Sequence, residues 1–281
     1  MTTTTEPSPI VAGHVLSLRG VSKSFGAVAA LTDIDLDVHS GEVVALVGDN
    51  GAGKSTLVKV LAGVHPPDTG SITFAGEEVT LGTPTAAIDR GIATVFQDLA
   101  LCDNLDVVQN LFLGREVVPL RLDEVTMEVK AWELLRQLSA KIPSVRIPIA
   151  SLSGGQRQTV AIARSLLGEP KLIILDEPTA ALGVAQTAEV LNLVERLRDT
   201  GLAVILISHN MEDVRAVADR VVVLRLGRNN GEFEMRSTST EEIIAAITGA
   251  SDNAVTRRRT QRGASATAVP VDASNIEGDV V

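Results

Sequence analysis

The sequence predicts an α/β fold whose core is a mostly parallel β-sheet. Short apolar runs such as VVALV, KLIILD and LAVILIS alternate with longer segments of helical periodicity, which is the order of elements in a parallel sheet covered by helices. The run GEVVALVGDNGAGKSTLVKVLAG passes from a buried strand through a glycine-rich turn into an apolar helix. Hydrophobic residues make up 45% of the 281 residues but aromatic residues only 2%, so we expect a core of Val, Leu, Ile and Ala.

The remaining elements follow in chain order. Residues 1–13, rich in Thr and Pro, predict a flexible leader, and the alternation in VLSLRGVSKSFG predicts an edge strand. GSITFAG and IATVFQ predict two further strands. Helical periodicity then dominates residues 98–167, which predicts an inserted helical lobe within an ordered domain of residues 14–250. Residues 251–281 show no core-forming face, and we expect them to be disordered.

Composition excludes several classes of protein. The formal net charge of -10 argues against general nucleic-acid binding, although it leaves room for a local basic patch. With Cys102 as the single cysteine, no intramolecular disulfide can form, and no Cys/His cluster suggests a structural zinc site. The N-terminus lacks the features of a secretory signal, and the apolar runs are far shorter than the roughly 20 residues of a membrane-spanning helix. A membrane role would therefore require a partner.

One motif predicts a phosphate-binding loop. Gly48, Gly53, Lys54 and Ser55 match the pattern G-x-x-x-x-G-K-[ST], between a predicted strand and a predicted helix. Backbone N–H groups and the positive end of the helix would surround phosphate oxygens. We expect Lys54 to reach the outer phosphates and the Ser55 hydroxyl to ligate Mg²⁺.

Two carboxylates follow the apolar run of LIILDEPT. Asp176 leaves the carboxyl end of the predicted strand, where ligands gather in open α/β sheets. We assign Asp176 to Mg²⁺, directly or through water, and Glu177 to polarising the water that attacks the γ-phosphate. Taken alone, the pair is equally well read as a solvated Asp-Glu at a helix start.

A third motif identifies a family. In LSGGQRQTVAIARSLL, a serine and two glycines precede an amphipathic helix, which makes a second anion site. Ser153, Gly154, Gly155 and Gln156 resemble the signature of ATP-binding cassette (ABC) ATPases. Together with the phosphate loop and LIILDEPT, this signature is highly specific. The resemblance covers roughly residues 15–250 and implies a P-loop NTPase with an N-terminal antiparallel β subdomain and an inserted α-helical subdomain.

The resemblance implies further roles. Gln97 in VFQD resembles the glutamine that senses Mg²⁺ and the γ-phosphate, and His209 in LISHN resembles the histidine that contacts the γ-phosphate and helps to position water. Without that context, each is more often a surface or capping residue. Phe25 matches the aromatic residue that stacks on adenine, usually a tyrosine in the family. Gly183 departs from the usual aspartate of a loop that communicates across the dimer. The residues predicted to contact ATP are Phe25, Gly48, Asp49, Asn50, Gly51, Ala52, Gly53, Lys54, Ser55, Thr56, Ser153, Gly154, Gly155 and Gln156.

Finer features resemble one subgroup of the family. GDNGAGKSTL, EPTAALGVAQT and SHNMEDV are similar to the ATPases of bacterial ribose, xylose and fructose importers, although this chain has a single cassette. The resemblance implies a homodimer at the cytoplasmic face of the membrane, a polytopic permease as partner and, indirectly, an extracellular or periplasmic sugar-binding protein. The sugar is not readable. A soluble cassette protein acting on ribosomes or DNA typically needs paired cassettes or a coiled-coil insertion, and a P-loop kinase would not explain the signature.

Overall fold

Six strands form the central sheet of the computed structural model, which describes residues 14–117 and 122–250. In spatial order they are β10 (Arg228–Glu234), β9 (Arg220–Arg225), β3 (Val43–Val47), β8 (Ala203–Ile207), β7 (Leu172–Asp176) and β6 (Ile92–Val95). All neighbours are parallel except β10, which runs antiparallel to β9. The predicted mostly parallel core is confirmed.

A second, antiparallel sheet lies near the N-terminus. Its strands are β2 (Val28–His39), β1 (His14–Phe25), β4 (Thr69–Phe74) and β5 (Glu77–Glu78), in that spatial order. The antiparallel subdomain is therefore present, but the predicted edge position of the first strand is wrong. β1 pairs with β2 on one side and with β4 on the other. The prediction failed because alternation of apolar residues indicates a buried face and says nothing about which edges of a strand are paired.

Helices cover the central sheet. They are α1 (Lys54–Leu61), α2 (Pro84–Arg90), α5 (Gly154–Leu166), α6 (Val184–Asp199), α7 (Met211–Val217) and α8 (Thr240–Thr248). Between β6 and β7 the chain forms α3 (Val107–Phe112), α4 (Glu124–Gln137), a 3₁₀ turn (Ile149–Ser151) and then α5. The described part of residues 98–167 thus contributes no strand to either sheet, which supports the predicted helical insertion.

The core lies on both faces of the central sheet. All five residues of β3 are buried, and they alternate between two apolar clusters. Val43, Ala45 and Val47 pack in the cluster that includes α5, α6 and the helical lobe. Val44 and Leu46 pack in the cluster that includes α1 and the antiparallel sheet. Burial on both faces explains why the strand reads as an unbroken apolar run.

A buried arginine joins three strands and the start of β3. Arg220 is 7% exposed, and its guanidinium pairs with Glu42 at 2.9 Å, with Glu232, and with the carbonyl oxygen of Asp37. Burial alone would raise the pKa of Glu42, but hydrogen bonds from Arg220 and from the His39 backbone outweigh it, so the pKa lies below its usual value. The ionised pair therefore stabilises the fold near neutral pH.

Two predicted segments, the leader of residues 1–13 and the tail of residues 251–281, lie outside the described residues. Across the described ranges, no helix has the length and hydropathy needed to cross a bilayer.

Candidate functional site

The phosphate loop links the buried end of β3 to the first residue of α1. Gly48 has φ 151°, and a Cβ there would lie 2.2 Å from the carbonyl oxygen of Leu224 on β9. Gly53, the N-cap of α1, has φ 104°, and a Cβ there would lie 2.9 Å from the Ala30 carbonyl oxygen. Glycine is needed at both positions because the loop backbone presses against neighbouring backbone. The strand, loop and helix predicted from the motif are all present.

Lys54 folds back over this loop. Its Nζ donates to the carbonyl oxygens of Gly48, at 2.6 Å, and Asp49, at 3.0 Å. Partial burial lowers the pKa of Lys54, and the negative charges of Glu177, Asp49 and Asp176 oppose that shift. The Lys54 ammonium is half-buried, and it would form stronger, charge-assisted hydrogen bonds with phosphate oxygens than with these neutral carbonyls.

Asp176 and Glu177 stand at the carboxyl end of β7, beside the loop. Burial and the charge of Glu177 raise the pKa of Asp176, and the charges of Lys54 and Lys59 act against them. Glu177 has φ 52°, in the left-handed region, and its backbone N–H donates to the Ile207 carbonyl of β8 at 3.0 Å. A non-glycine residue in this region is typical of functional sites, where surrounding structure fixes an unfavourable backbone.

His209 contacts Glu177 directly. The two side chains form a hydrogen bond between the histidine Nδ1 and a carboxylate oxygen. His209 follows β8, and its side chain is largely exposed, whereas the Glu177 side chain is mostly covered. The pair therefore presents a water-facing imidazole hydrogen-bonded to a largely covered carboxylate, an arrangement that suits holding and moving a proton.

A cleft of about 600 Å³ gathers the predicted groups. Its lining includes Lys54, Ser55, Gln97, Asp176 and Glu177, and an adjoining cavity of about 430 Å³ adds His209 and the first half of the loop. This volume is in the range of small-molecule sites and leaves room for a nucleotide. Other loop residues that line the two cavities are Gly48, Asp49, Asn50, Gly51, Ala52, Gly53 and Thr56.

Oxygen donors in the cleft fit Mg²⁺. The Ser55 hydroxyl, the Gln97 side-chain carbonyl and the Asp176 carboxylate are hard ligands of the kind that Mg²⁺ takes. In the described ranges, no group of three or more His, Cys, Asp or Glu residues could hold a metal ion. One carboxylate completed by phosphates is a common magnesium arrangement, and so the donor set suits an ion that arrives with its nucleotide.

Phe25 is not among the residues that line the two cavities. Its ring is 44% exposed and meets His65 edge-on at 5.1 Å. Among the residues that line the cleft, the neighbouring apolar side chain is Val28, which is 66% exposed. Stacking of Phe25 on adenine stays a prediction, and Val28 is a cleft-lining residue that no motif indicated.

The signature residues form the start of α5. The Ser153 hydroxyl accepts from the Gln156 backbone N–H at 3.3 Å, and the Gln156 side chain accepts from the Ser153 N–H at 3.0 Å. A Cβ on Gly154 or Gly155 would lie within 3.0 Å of Leu182 or Gln186, so the glycines permit close packing on α6 and the loop before it. None of these four residues lines the cleft, and Ser153 is exposed.

Sequence reasoning missed Arg164, which lies on the last turn of α5. Its guanidinium donates to the carbonyl oxygens of Leu99 and Ala100, each at 2.8 Å, in the segment just after Gln97. Nothing in the sequence signals this contact, since an arginine on an amphipathic helix is ordinarily read as a solvated side chain. Only the packing of α5 beside β6 brings it there.

The chain is similar to proteins of one known family. The chain matches the family model described as ABC transporter over residues 31–180, more than half of its length. It is 44% identical over 235 residues to the xylose/arabinose import ATP-binding protein XylG of Sulfolobus acidocaldarius, covering 83% of this chain and 94% of that protein. It is 40% identical over 247 residues to the fructose import ATP-binding protein FrcA of Rhizobium meliloti, covering 85% and 95%. The match to the ribose import ATP-binding protein RbsA of Streptococcus agalactiae, 39% over 236 residues, covers 83% of this chain but only 48% of that longer protein.

Solved structures share the architecture. A nucleotide-free ATP-binding cassette from an ABC transporter superposes with a TM-score of 0.73 at 27% identity, over 84% of this chain and 96% of that one. A dimeric post-hydrolysis cassette bound to ADP and phosphate gives a TM-score of 0.67 at 25% identity, over 79% and 100%. Phosphate loop, strand-end carboxylates and signature helix occur here in one cassette fold. The chain belongs to the ABC transporter family, as an ATP-binding and ATP-hydrolysing cassette.

Proposed function

We propose that this chain is the energy-coupling subunit of a monosaccharide importer, in which two cassettes close around ATP and drive a separate membrane permease. The main support for two cooperating cassettes is that Lys54, Asp176 and Glu177 line one cleft of the chain, whereas Ser153 of the signature lies outside it. Support for the cargo comes from the relatives named for import of xylose, arabinose, fructose and ribose. The specific sugar is not assigned.

Binding of the nucleotide rests on the loop and its neighbours. Backbone N–H groups of residues 48–53 and the start of α1 would hold the phosphates, with Lys54 turning from loop carbonyls to phosphate oxygens. Ser55, Gln97 and Asp176 would hold Mg²⁺, which supplies charge neutralisation of the phosphates when bound. Asp176 would hold the ion as a carboxylate. Burial and the charge of Glu177 raise the pKa of Asp176, so the positive charge of the ion would offset the cost of ionising it.

Glu177 and His209 are the proposed hydrolytic pair. The carboxylate of Glu177 would accept a hydrogen bond from the attacking water and take up its proton. His209 would hold that carboxylate in place through the contact already present, and would reach the γ-phosphate side of the site. Both groups line the cavity beside Gln97, so water, phosphate and metal contacts meet in one place.

A complete site would need a second chain. Ser153 is exposed at the positive end of α5, a ready anion site that faces no phosphate loop in its own chain. Two chains arranged head to tail would each supply Lys54 to one ATP and Ser153 to the other. A solved cassette of the same fold is dimeric, which supports the pairing of two chains.

The permease is proposed to dock in a groove of about 290 Å³ between β6, α5 and the lobe. The segment after Gln97 also carries Leu99 and Leu101, but both are half-buried and pack on the core. The exposed apolar side chains of this groove are instead Ile88, Phe96 and Leu113. Docking there would place the cassette at the cytoplasmic face of the membrane, with the sugar-binding protein acting on the far side.

Mixing two inactive variants tests the composite site. Lys54→Ala removes the phosphate contact, and Ser153→Arg fills the space at the start of α5. With equal amounts and verified subunit exchange, half of the dimers are mixed and each has one intact site, so about one quarter of wild-type activity should return if the two sites turn over independently. No recovery at any mixing ratio would show that each chain contains its whole site.

Partner capture tests the transport role. A polytopic membrane protein should copurify with the full chain and crosslink to cysteines placed at Ile88 or Leu113. Copurification with ribosomes or DNA instead would overturn the proposed importer.

A further inference from the structure

The turn after Gln97 adopts a backbone that its own sequence does not favour. Ala100 has φ 48°, in the left-handed region that a residue with a Cβ rarely enters. Its backbone N–H donates to the Asp98 side chain at 3.1 Å, a local turn contact. No glycine relieves the turn, so contacts from elsewhere must hold it.

Arg164 provides that contact from α5. Its two terminal nitrogens donate to the carbonyl oxygens of Leu99 and Ala100, both at 2.8 Å. The guanidinium therefore binds two consecutive peptide carbonyls, and the second belongs to the left-handed residue Ala100. A planar guanidinium suits two fixed acceptors in this way.

The environment of Arg164 argues against an ordinary surface charge. Burial and the like charge of Arg115 lower the pKa of the guanidinium. In the described part of the chain, Arg164 has no carboxylate within ion-pair distance, so backbone carbonyls are its main partners. A half-buried cation held only by carbonyls of one turn is committed to that turn.

The far side of the same segment is also fixed. Asn110 is fully buried, accepts from the Cys102 N–H at 2.7 Å and donates to the carbonyl oxygens of Cys102, Leu105 and Asp106. Residues 99–106 are thus anchored to α3 at one end and to α5 at the other. The segment between Gln97 and the lobe is therefore held by side-chain hydrogen bonds at both of its ends.

We infer that Arg164 is a positioning residue that joins the Gln97 turn to the signature helix. Through it, a displacement of the docking groove would move Gln97 at one nucleotide and, along α5, Ser153 at the other. The inference rests on the proposed site roles of Gln97 and Ser153. The rigid connection itself, from Arg164 to the turn, depends only on the contacts above.

Hydrogen exchange in the isolated full chain tests the connection without a transporter. Arg164→Gln should raise exchange in a peptide covering residues 98–102 about tenfold, because local opening loses its anchor, while amides in the middle of α5 stay within twofold. Arg136→Gln, on the exposed face of α4 beside Trp132, is the matched control and should change neither. Unchanged exchange at residues 98–102 overturns the inference, and so does equal loss throughout α5, which would show a general structural role.

Turnover tests the consequence for Gln97. For Arg164→Gln we expect kcat to fall about tenfold while KM for ATP stays within twofold, because the phosphate loop is untouched and Gln97 is displaced. Arg164→Lys keeps the charge without the planar fork and should recover less than half of the loss. Full recovery with lysine would overturn the positioning role. A wild-type chain without ATP turnover would count against the proposed function and leave the exchange test standing.

Discussion

Replacement of Glu177 by glutamine gives a sharp test of the hydrolytic assignment. The amide keeps the size of the side chain and can still meet His209, but it cannot accept the proton of the attacking water. Loss of a general base lowers turnover by roughly 10²–10⁴-fold, which corresponds to about 3–5 kcal/mol of activation free energy.

The same change should leave nucleotide binding intact. Among the nearby carboxylates, Glu177 has the largest effect on the pKa of Lys54, which its negative charge raises. The same charge also raises the pKa of Asp176. Removing it makes the loop more positive and lets Asp176 ionise more readily. We therefore expect ATP affinity in the variant to equal or exceed that of the wild type by a few-fold.

Two measurements separate these effects. Phosphate release gives turnover, and a fluorescent ATP analogue gives affinity for wild type and variant at the same Mg²⁺ concentration. Glu189→Gln is the control, since that acid is exposed on α6 and pairs only with Lys141 among the described residues; it should keep turnover within twofold. Turnover by Glu177→Gln above about one tenth of the wild-type rate would remove Glu177 from the role of base.

Three further predictions follow from particular contacts. Gly48→Ala should cost about 2–4 kcal/mol in urea unfolding because its Cβ meets a backbone oxygen, whereas Gly51→Ala, with no atom within 4 Å, should cost only about 1–2 kcal/mol for its positive φ. The depressed pKa of Glu42 means that its stabilisation is complete above the ordinary value of 4.5 and is lost as pH falls through the folded-state pKa, so Glu42→Gln should be less stable at pH 7 and should lose less stability in that acid window. Chelation of Mg²⁺ should stop turnover reversibly, and Asp176→Asn should raise the Mg²⁺ concentration for half-maximal turnover about tenfold.

Much of the site was predictable because its signals are local. The glycines before Lys54 and the apolar run before Asp176 specify a turn and a strand end within a few residues, and parallel strands bring such ends to one edge of a sheet. Contacts between distant elements left no such signal. The double pairing of β1, the cleft contact of Val28 and the grip of Arg164 on Leu99 and Ala100 depend on packing that no short pattern encodes.

The signature and the cleft lie in different layers of the molecule because one is at the start of helix α5 and the other is at the end of strand β7. α5 has 13 residues and rises about 20 Å from Ser153, while the five residues of β7 run about 17 Å to Asp176. If helix and strand run in opposite directions, as the short connection between them requires, Ser153 and Asp176 share one edge of the molecule, in different layers. With Ser153 and the cleft on the same edge, a two-fold rotation places the Ser153 end of each chain against the cleft of the other. Both contacts form at once, which favours a two-fold dimer.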